Sequence, residues 1–484
     1  MIIVIIISLF TLGYIETYKI AGNEDLYYLF LTVVAILSAV ASAFILKENF
    51  KYKIHLSAIF VLIIIGYFLK IYILGYLILH SDSYYEYINA YFPLQYELLV
   101  NSPDLFIIYF EVVTAMLGLF ALVIISLSLL KLNVIQTQGI PLYNNTFPKY
   151  KVKDSSVKLL LILASLSILF IIYIQIYYNI GLVSPGEREV TILPYRLAGI
   201  IQIFGRYFIP MILFIALWLS IKNRLKFLSR ISYFLFFFWG VSLGLVSTSK
   251  EPLIIAILSI FLTLFLCNAF GKKQMIWLIA LIPLLMLFND FLSLNRLARN
   301  YYLDEGIVDI AIMIFTGIIK PSDFLSQDYH SISSVAKYLG LIMRIGGADS
   351  LLSILDYNMT EPIRKALLFQ SSQPIVDIFT QDVLGQNLMP GLRFSPSLLG
   401  YFILALGGVS EALIAFVLYV LFWHIIFTSN FKSKFRIKSF LALLLLLTMI
   451  RLTSEGGFSR LSMHFLLIII FGVVGELLLK RVNR

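Results

Sequence analysis

The sequence predicts an all-α polytopic membrane protein, and three observations carry that class. Sixty per cent of the 484 residues are hydrophobic, only 13% are charged, and the mean hydropathy is +0.93. Soluble domains are roughly half apolar and a quarter charged. The apolar residues come in unbroken runs near the ~20 residues that a helix needs to cross the hydrocarbon core. A membrane β-barrel would show alternating strands of about ten residues instead. Finally, lysines and arginines collect in alternate connections, as they do in the cytoplasmic loops of helical membrane proteins.

Taken in order, the runs lie at 2–20, 28–46, 55–79, 105–130, 157–179, 198–221, 227–246, 252–270, 274–289, 398–427, 436–452 and 462–480. That predicts twelve spans. Met1 to Leu12 is almost wholly apolar, but it has no basic region before it, and Ile15-Glu16-Thr17-Tyr18 is no small-residue cleavage site. It therefore reads as a short first span and not as a secretion signal.

The basic connections hold Lys47, Lys51 and Lys53; Lys131, Lys149, Lys151, Lys153 and Lys158; Lys222, Arg224, Lys226 and Arg230; Lys272 and Lys273; Lys432, Lys434, Arg436 and Lys438; and Lys480, Arg481 and Arg484. Glu48, Asp154 and Glu476 are the acids among them. The expectation is twelve spans with both termini cytoplasmic. The chain then forms one integral membrane domain over 1–484, since no polar interval outside 290–397 is long enough to bury its own core. The net charge of +10 is spread through short loops, which argues against a nucleic-acid partner. The single cysteine, Cys267, excludes a disulfide within the chain and a Cys-based metal site.

The interval 290–397 is expected to be a large extracytoplasmic loop within that domain. It is too long for a passive link, and it has apolar segments of helical length at Val308 to Ile319 and Ile363 to Phe379. The first reads as a short amphipathic helix at the membrane interface. Tyr301, Tyr302, Tyr329, Tyr338, Tyr357, Phe369 and Phe379 supply rings that stack on sugars or anchor at headgroups.

Ionisable residues in or beside spans are the site candidates, because a charge in lipid costs about 2.5–3.5 kcal/mol or more unless it faces a cavity or partner. Lys70, Glu111, Arg206 and Glu411 stand inside the expected spans. Lys250 and Glu251 sit at the turn between the seventh and eighth, and Arg451, Glu455 and Arg460 mark the last outer connection. Arg206, Lys250, Arg451 and Arg460 share the outer side, joined by Arg296, Arg299 and Arg344 of the loop. Any one of them could snorkel to headgroups or pair with a carboxylate. Together they suggest a bound phosphate or pyrophosphate, which guanidinium groups grip bidentately. Glu251, Asp349, Glu411 and Glu455 are the candidate bases. No Walker loop, HExxH or metal-spaced histidines occur, and no cytoplasmic connection is long enough for a nucleotide-using domain.

This architecture, with one long late outer loop, many Tyr and Phe, and outer arginines, resembles the Wzy-type bacterial polysaccharide polymerases, relatives of the O-antigen ligases. Some members carry an arginine eleven positions before a glycine in two outer loops. Arg188 to Gly199 has that spacing, and the large loop has no second copy. The resemblance implies a GT-C-like fold in the bacterial inner membrane and a glycosyltransferase that needs no metal or cofactor. Its donor and acceptor would be undecaprenyl-pyrophosphate-linked oligosaccharides, and a chain-length-regulating co-polymerase would be a partner beside membrane lipid. Arg206, Lys250, Arg344, Arg451 and Arg460, with Arg296 and Arg299, would hold pyrophosphate, and Glu251, Asp349 or Glu455 would act as base. A flippase for the same lipid-linked sugars, and an assembly protein without chemistry, stand as alternatives.

Overall fold

The computed structural model describes residues 2–47, 53–79, 103–129, 154–177, 200–201, 203–247, 251–266, 307–319, 347–357, 379–384 and 396–432, with single positions between 271 and 298 and between 445 and 453. Every element among them is helical. Lipid offers backbone groups no hydrogen-bond partners, so a helix, which satisfies its own, is the stable form for such apolar runs. Among the described residues, seven helical stretches are long and apolar enough to cross a membrane. The expected spans at 274–289, 436–452 and 462–480 lie wholly or largely outside the described residues.

The first stretch, Ile2–Lys47, is two helices. Helix α1 (Ile2–Ala21) ends at Gly22, whose φ of +57° turns the chain, and α2 (Asp25–Lys47) runs back. The reversal shows in side chains eleven residues apart that touch: Tyr14 donates to Asp25 Oδ1 at 2.7 Å, and Thr17 Oγ1 meets Tyr28 Oη at 2.7 Å. Such residues on one straight helix would be about 16 Å apart. Helix α2 buries Ala35, Ala39 and Ala43, one every fourth residue, the small-residue stripe that lets membrane helices approach closely. It packs along α5 (Pro103–Leu129), where Gly118 faces Ser38.

The third span is α3 (Ile54–Ile63), a π-helical turn (Ile64–Leu69) and α4 (Lys70–Leu79). Helices α1, α2, α4 and α5 meet in a ring cluster of Phe10, Tyr28, Phe68, Tyr72, Phe106 and Phe110, with centroids 4.7–6.1 Å apart. Gly13 allows this packing, since a methyl there would run into the Tyr72 ring.

A second group of helices comprises α6 (Asp154–Tyr177), a π-turn (Phe204–Phe208) continuing as α7 (Ile209–Lys222), α8 (Lys226–Ser247) and α9 (Glu251–Leu266). Helix α7 is buried on almost every face, whereas α6 exposes Leu159, Ile162, Leu166, Phe170 and Tyr173. An apolar surface of that extent is expected to face lipid. Both groups share one hydrophobic core.

Four further α-helices among the described residues follow in the chain. Helix α10 (Ile307–Phe315) overlaps the amphipathic segment expected at 308–319, and its Ile310, with Ile319 in the turn that follows, packs against Leu294 and Ala298. Helix α11 (Ala348–Asp356) is inserted among α4, α5 and α12 (Leu398–Leu406). The expected tenth span, 398–427, is not one helix. Gly407, at φ +85°, ends α12, and α13 (Val409–Lys432) folds back along it, so that the Phe402 and Tyr419 rings lie 6.2 Å apart. At nine residues, α12 is about 13 Å long, under half the thickness of a hydrocarbon core.

Candidate functional site

The candidate site is where the loop enters the bundle, and its frame is the π-turn of the third span. In an α-helix the Lys70 N–H would bond to Gly66 O; here it reaches Ile65 O and Tyr67 O, which leaves the Gly66 carbonyl without its helical donor. Gly347, the residue before α11, lies directly against that carbonyl, and a side chain at 347 would collide with it. The approach suits a Cα–H···O contact, which only glycine offers on that side. Next along the turn, Tyr67 O accepts the Tyr109 hydroxyl at 2.7 Å, and Tyr67 Oη accepts the Leu399 N–H at 3.3 Å. One π-turn therefore binds α5, α11 and α12 together. Such turns are rare in helices and occur frequently at functional sites.

The inserted pieces are deeply buried. Ala348, Leu351 and Leu352 are 0% exposed, and so are Ser397, Leu399 and Lys70. Ser397 holds φ at +64°, a strained value for a residue with a side chain, while its Oγ accepts from Gly400 N at 3.4 Å and caps α12. Irregular backbone at such depth occurs where protein covers it or where it lines a polar cavity. Lys70 begins α4 at the end of this turn. At the far end of α11, burial and then the Asp382 carboxylate push the Tyr357 phenol above its ordinary range.

Asp349 lies in the first turn of α11, two residues beyond the Gly347–Gly66 contact. Glu251 is the first residue of α9, and Arg206 lies in the π-turn before α7. These two residues belong to the second helix group, where α7 and α9 are in contact. Arg206 is half-buried, and its Nη2 is buried with no hydrogen-bond partner among the described residues. A small apolar crevice, lined by Ile168, Ile171, Ile172, Ile209, Trp239, Ser242 and Leu243, adjoins that turn. Lys250, Arg296, Arg299, Arg344, Arg451, Glu455 and Arg460 lie outside the described residues.

Of the charges expected inside spans, Glu411 is placed differently, whereas Glu111 lies within α5 as expected. Glu411 is not deep in a helix: it lies in the first turn of α13, exposed, folded back over Gly408 and bonded by Ser410 Oγ at 2.8 Å. An acid at a helix N-terminus is favourably placed. Glu111 is partnered by the Tyr27 hydroxyl at 2.8 Å.

The fold also pairs two histidines that are 369 positions apart in sequence: His55 Nε2 and His424 Nδ1 are 3.3 Å apart, both buried. His55 stacks on Phe427 at 4.6 Å, and its Nδ1 has no partner. A buried lone pair costs less than a buried orphan N–H, which assigns the proton to His55 Nε2 as donor to His424. The pair fastens α3 to α13 near the end of α2, where the buried Lys53 donates to Ile45 O at 3.3 Å. No group of three metal-binding side chains occurs among the described residues.

No family model, curated protein or solved structure matches the chain. Fold and site together define a multi-pass helical membrane protein in which the short helix α11 packs among α4, α5 and α12.

Proposed function

We propose that this protein is a membrane glycosyltransferase that polymerises undecaprenyl-pyrophosphate-linked oligosaccharide repeat units at the outer face of a bacterial inner membrane, with both termini cytoplasmic. The observation that carries the reading is the entry of α11, with Asp349 in its first turn, against the π-turn that leads into buried Lys70. A second π-turn presents Arg206 with an unpartnered guanidinium nitrogen. Broken helices at depth, together with ionisable residues, are what a site for an anionic lipid-linked substrate requires.

In this reading Arg206, supported by Lys250, Arg344, Arg451 and Arg460, with Arg296 and Arg299 in the loop, holds the donor pyrophosphate and stabilises it as leaving group. Asp349 takes the proton of the acceptor hydroxyl as its oxygen bonds to the donor's anomeric carbon. The bond from that carbon to pyrophosphate breaks, and undecaprenyl pyrophosphate leaves. Glu251 and Glu455 are the alternative bases. No nucleotide or metal enters the reaction, and a GT-C-like arrangement and a chain-length-regulating partner belong to the same proposal.

Broken helices also serve transporters, which keeps a flippase for the same lipid as the second reading. Cells lacking the protein separate the two. Single repeat units on the surface support the polymerase, and an absence of surface glycan supports the flippase. Arg206→Ala and Asp349→Asn should each shorten the polymer at unchanged protein level; normal polymer length in both would remove the assignment.

A further inference from the structure

The second π-turn has a strut. In an α-helix the Ile209 N–H would bond to Gly205 O, but here it reaches Phe204 O, five residues back. Gly205 O is left without its helical donor, and Trp239 of α8 replaces it, its Nε1–H donating at 3.1 Å. Trp239 is 2% exposed, and an indole nitrogen can only donate, so one bond satisfies two groups that burial would otherwise leave orphaned. Gly205 itself is buried, and a methyl on it would press Ile171 Cδ1 at 3.2 Å.

Arg206 is the residue next to that carbonyl. The extra residue of a π-turn rotates the flanking helix by about 100° relative to unbroken α geometry, so whatever holds the turn also sets the direction in which position 206 points. We infer that Trp239 is a positioning residue: through its bond to Gly205 O it holds the π-turn that aims the Arg206 guanidinium at an anionic lipid headgroup. The inference rests on the proposed reading of Arg206 as a phosphate-binding group. Trp239 touches no substrate in it and acts through the backbone.

The test uses the full chain in detergent with undecaprenyl pyrophosphate as probe and undecaprenol as the uncharged control. Trp239→Phe keeps an aromatic ring and removes the donor; benzothienylalanine at 239 keeps the full ring shape and also lacks the N–H, which covers the case where the phenylalanine variant folds poorly. Either change should weaken pyrophosphate binding about tenfold, the scale of a buried partner lost, leave undecaprenol binding unchanged, and speed amide exchange at residues 205–209. In an Arg206→Ala background the same change should cost nothing further, because the two act as one unit. An equal loss in both backgrounds would make Trp239 merely structural and overturn the inference. So would unchanged amide exchange, or full binding in the Trp239 variants while Arg206→Ala alone weakens it. If Arg206→Ala binds normally while exchange at 205–209 still responds to Trp239, the phosphate reading is what fails, and the aiming role falls with it.

Discussion

The π-turns at Ile64–Leu69 and Phe204–Phe208 solve the same problem with different partners. Each interrupts a membrane helix beside a cation, Lys70 in one case and Arg206 in the other, and each strips a carbonyl of its helical donor. At Gly205 the substitute is a side chain from the neighbouring α8. At Gly66 it is backbone from the large loop, 281 positions further along the chain, admitted because Gly347 has no side chain. The second turn is therefore a local matter of one helix group, whereas the first depends on the loop being in place. A helix irregularity can be a fixed fitting or a docking point, and the origin of its partner decides which.

The comparison breaks most severely at Gly347. A valine there would meet the Gly66 carbonyl, and neither stretch of backbone yields easily, so α11 should lose about 3 kcal/mol of docking. Polymer synthesis should fall by two orders of magnitude and protease should cut the loop faster, while Trp239→Phe leaves loop cleavage unchanged. Next in size, Gly13→Ala pushes a methyl into the Tyr72 ring of the cluster that backs the first turn. Overpacking of this kind costs about 1–3 kcal/mol, read as a lower melting temperature in detergent with undecaprenyl pyrophosphate affinity retained. Tyr67→Phe removes the acceptor of the Leu399 N–H and should cost about 1 kcal/mol, visible as faster exchange at the start of α12. Smallest is Gly22→Ala, where φ is +57° but the added methyl meets open space; it should cost no more than about 1 kcal/mol, measured by the same melting assay.

Among the described residues most of the spans were legible, because lipid imposes one length and one chemistry. Helix α2 at Asp25–Lys47 and α8 at Lys226–Ser247 extend only slightly beyond the apolar runs that predict them. The π-turns were not legible: an extra residue in a helix leaves no mark on an all-apolar run, and Ile64-Ile65-Gly66-Tyr67 reads like any span. The break at Gly407-Gly408 carried a visible signal, two glycines in series, but the run on both sides is apolar and hides it. Lys70 and Asp349 at the candidate site, and Arg206 in the second helix group, could be singled out by charge alone. Their supports, Tyr109, Trp239, Gly347 and Leu399, could not, because ordinary apolar and small residues become struts only through partners far away in sequence. The histidine pair was hidden for the same reason, its members lying 369 positions apart.

The shortness of α12 bears on how the protein is made. Nine residues are too few to be threaded into a bilayer as a span of their own, and the same is true of α11. Their seats on the third span, at Gly66 and Tyr67, belong to a segment that leaves the ribosome hundreds of residues earlier. The two short helices must therefore settle against helices α1 to α9, which are made before them, while α13 follows and packs on α12. During synthesis the seat at Gly66 stays empty until the chain has passed Gly347, and the one at Tyr67 until it has passed Leu399. A nascent chain halted before that point is expected to carry α1 to α9 but to lack α12 and α13 and the packing they complete.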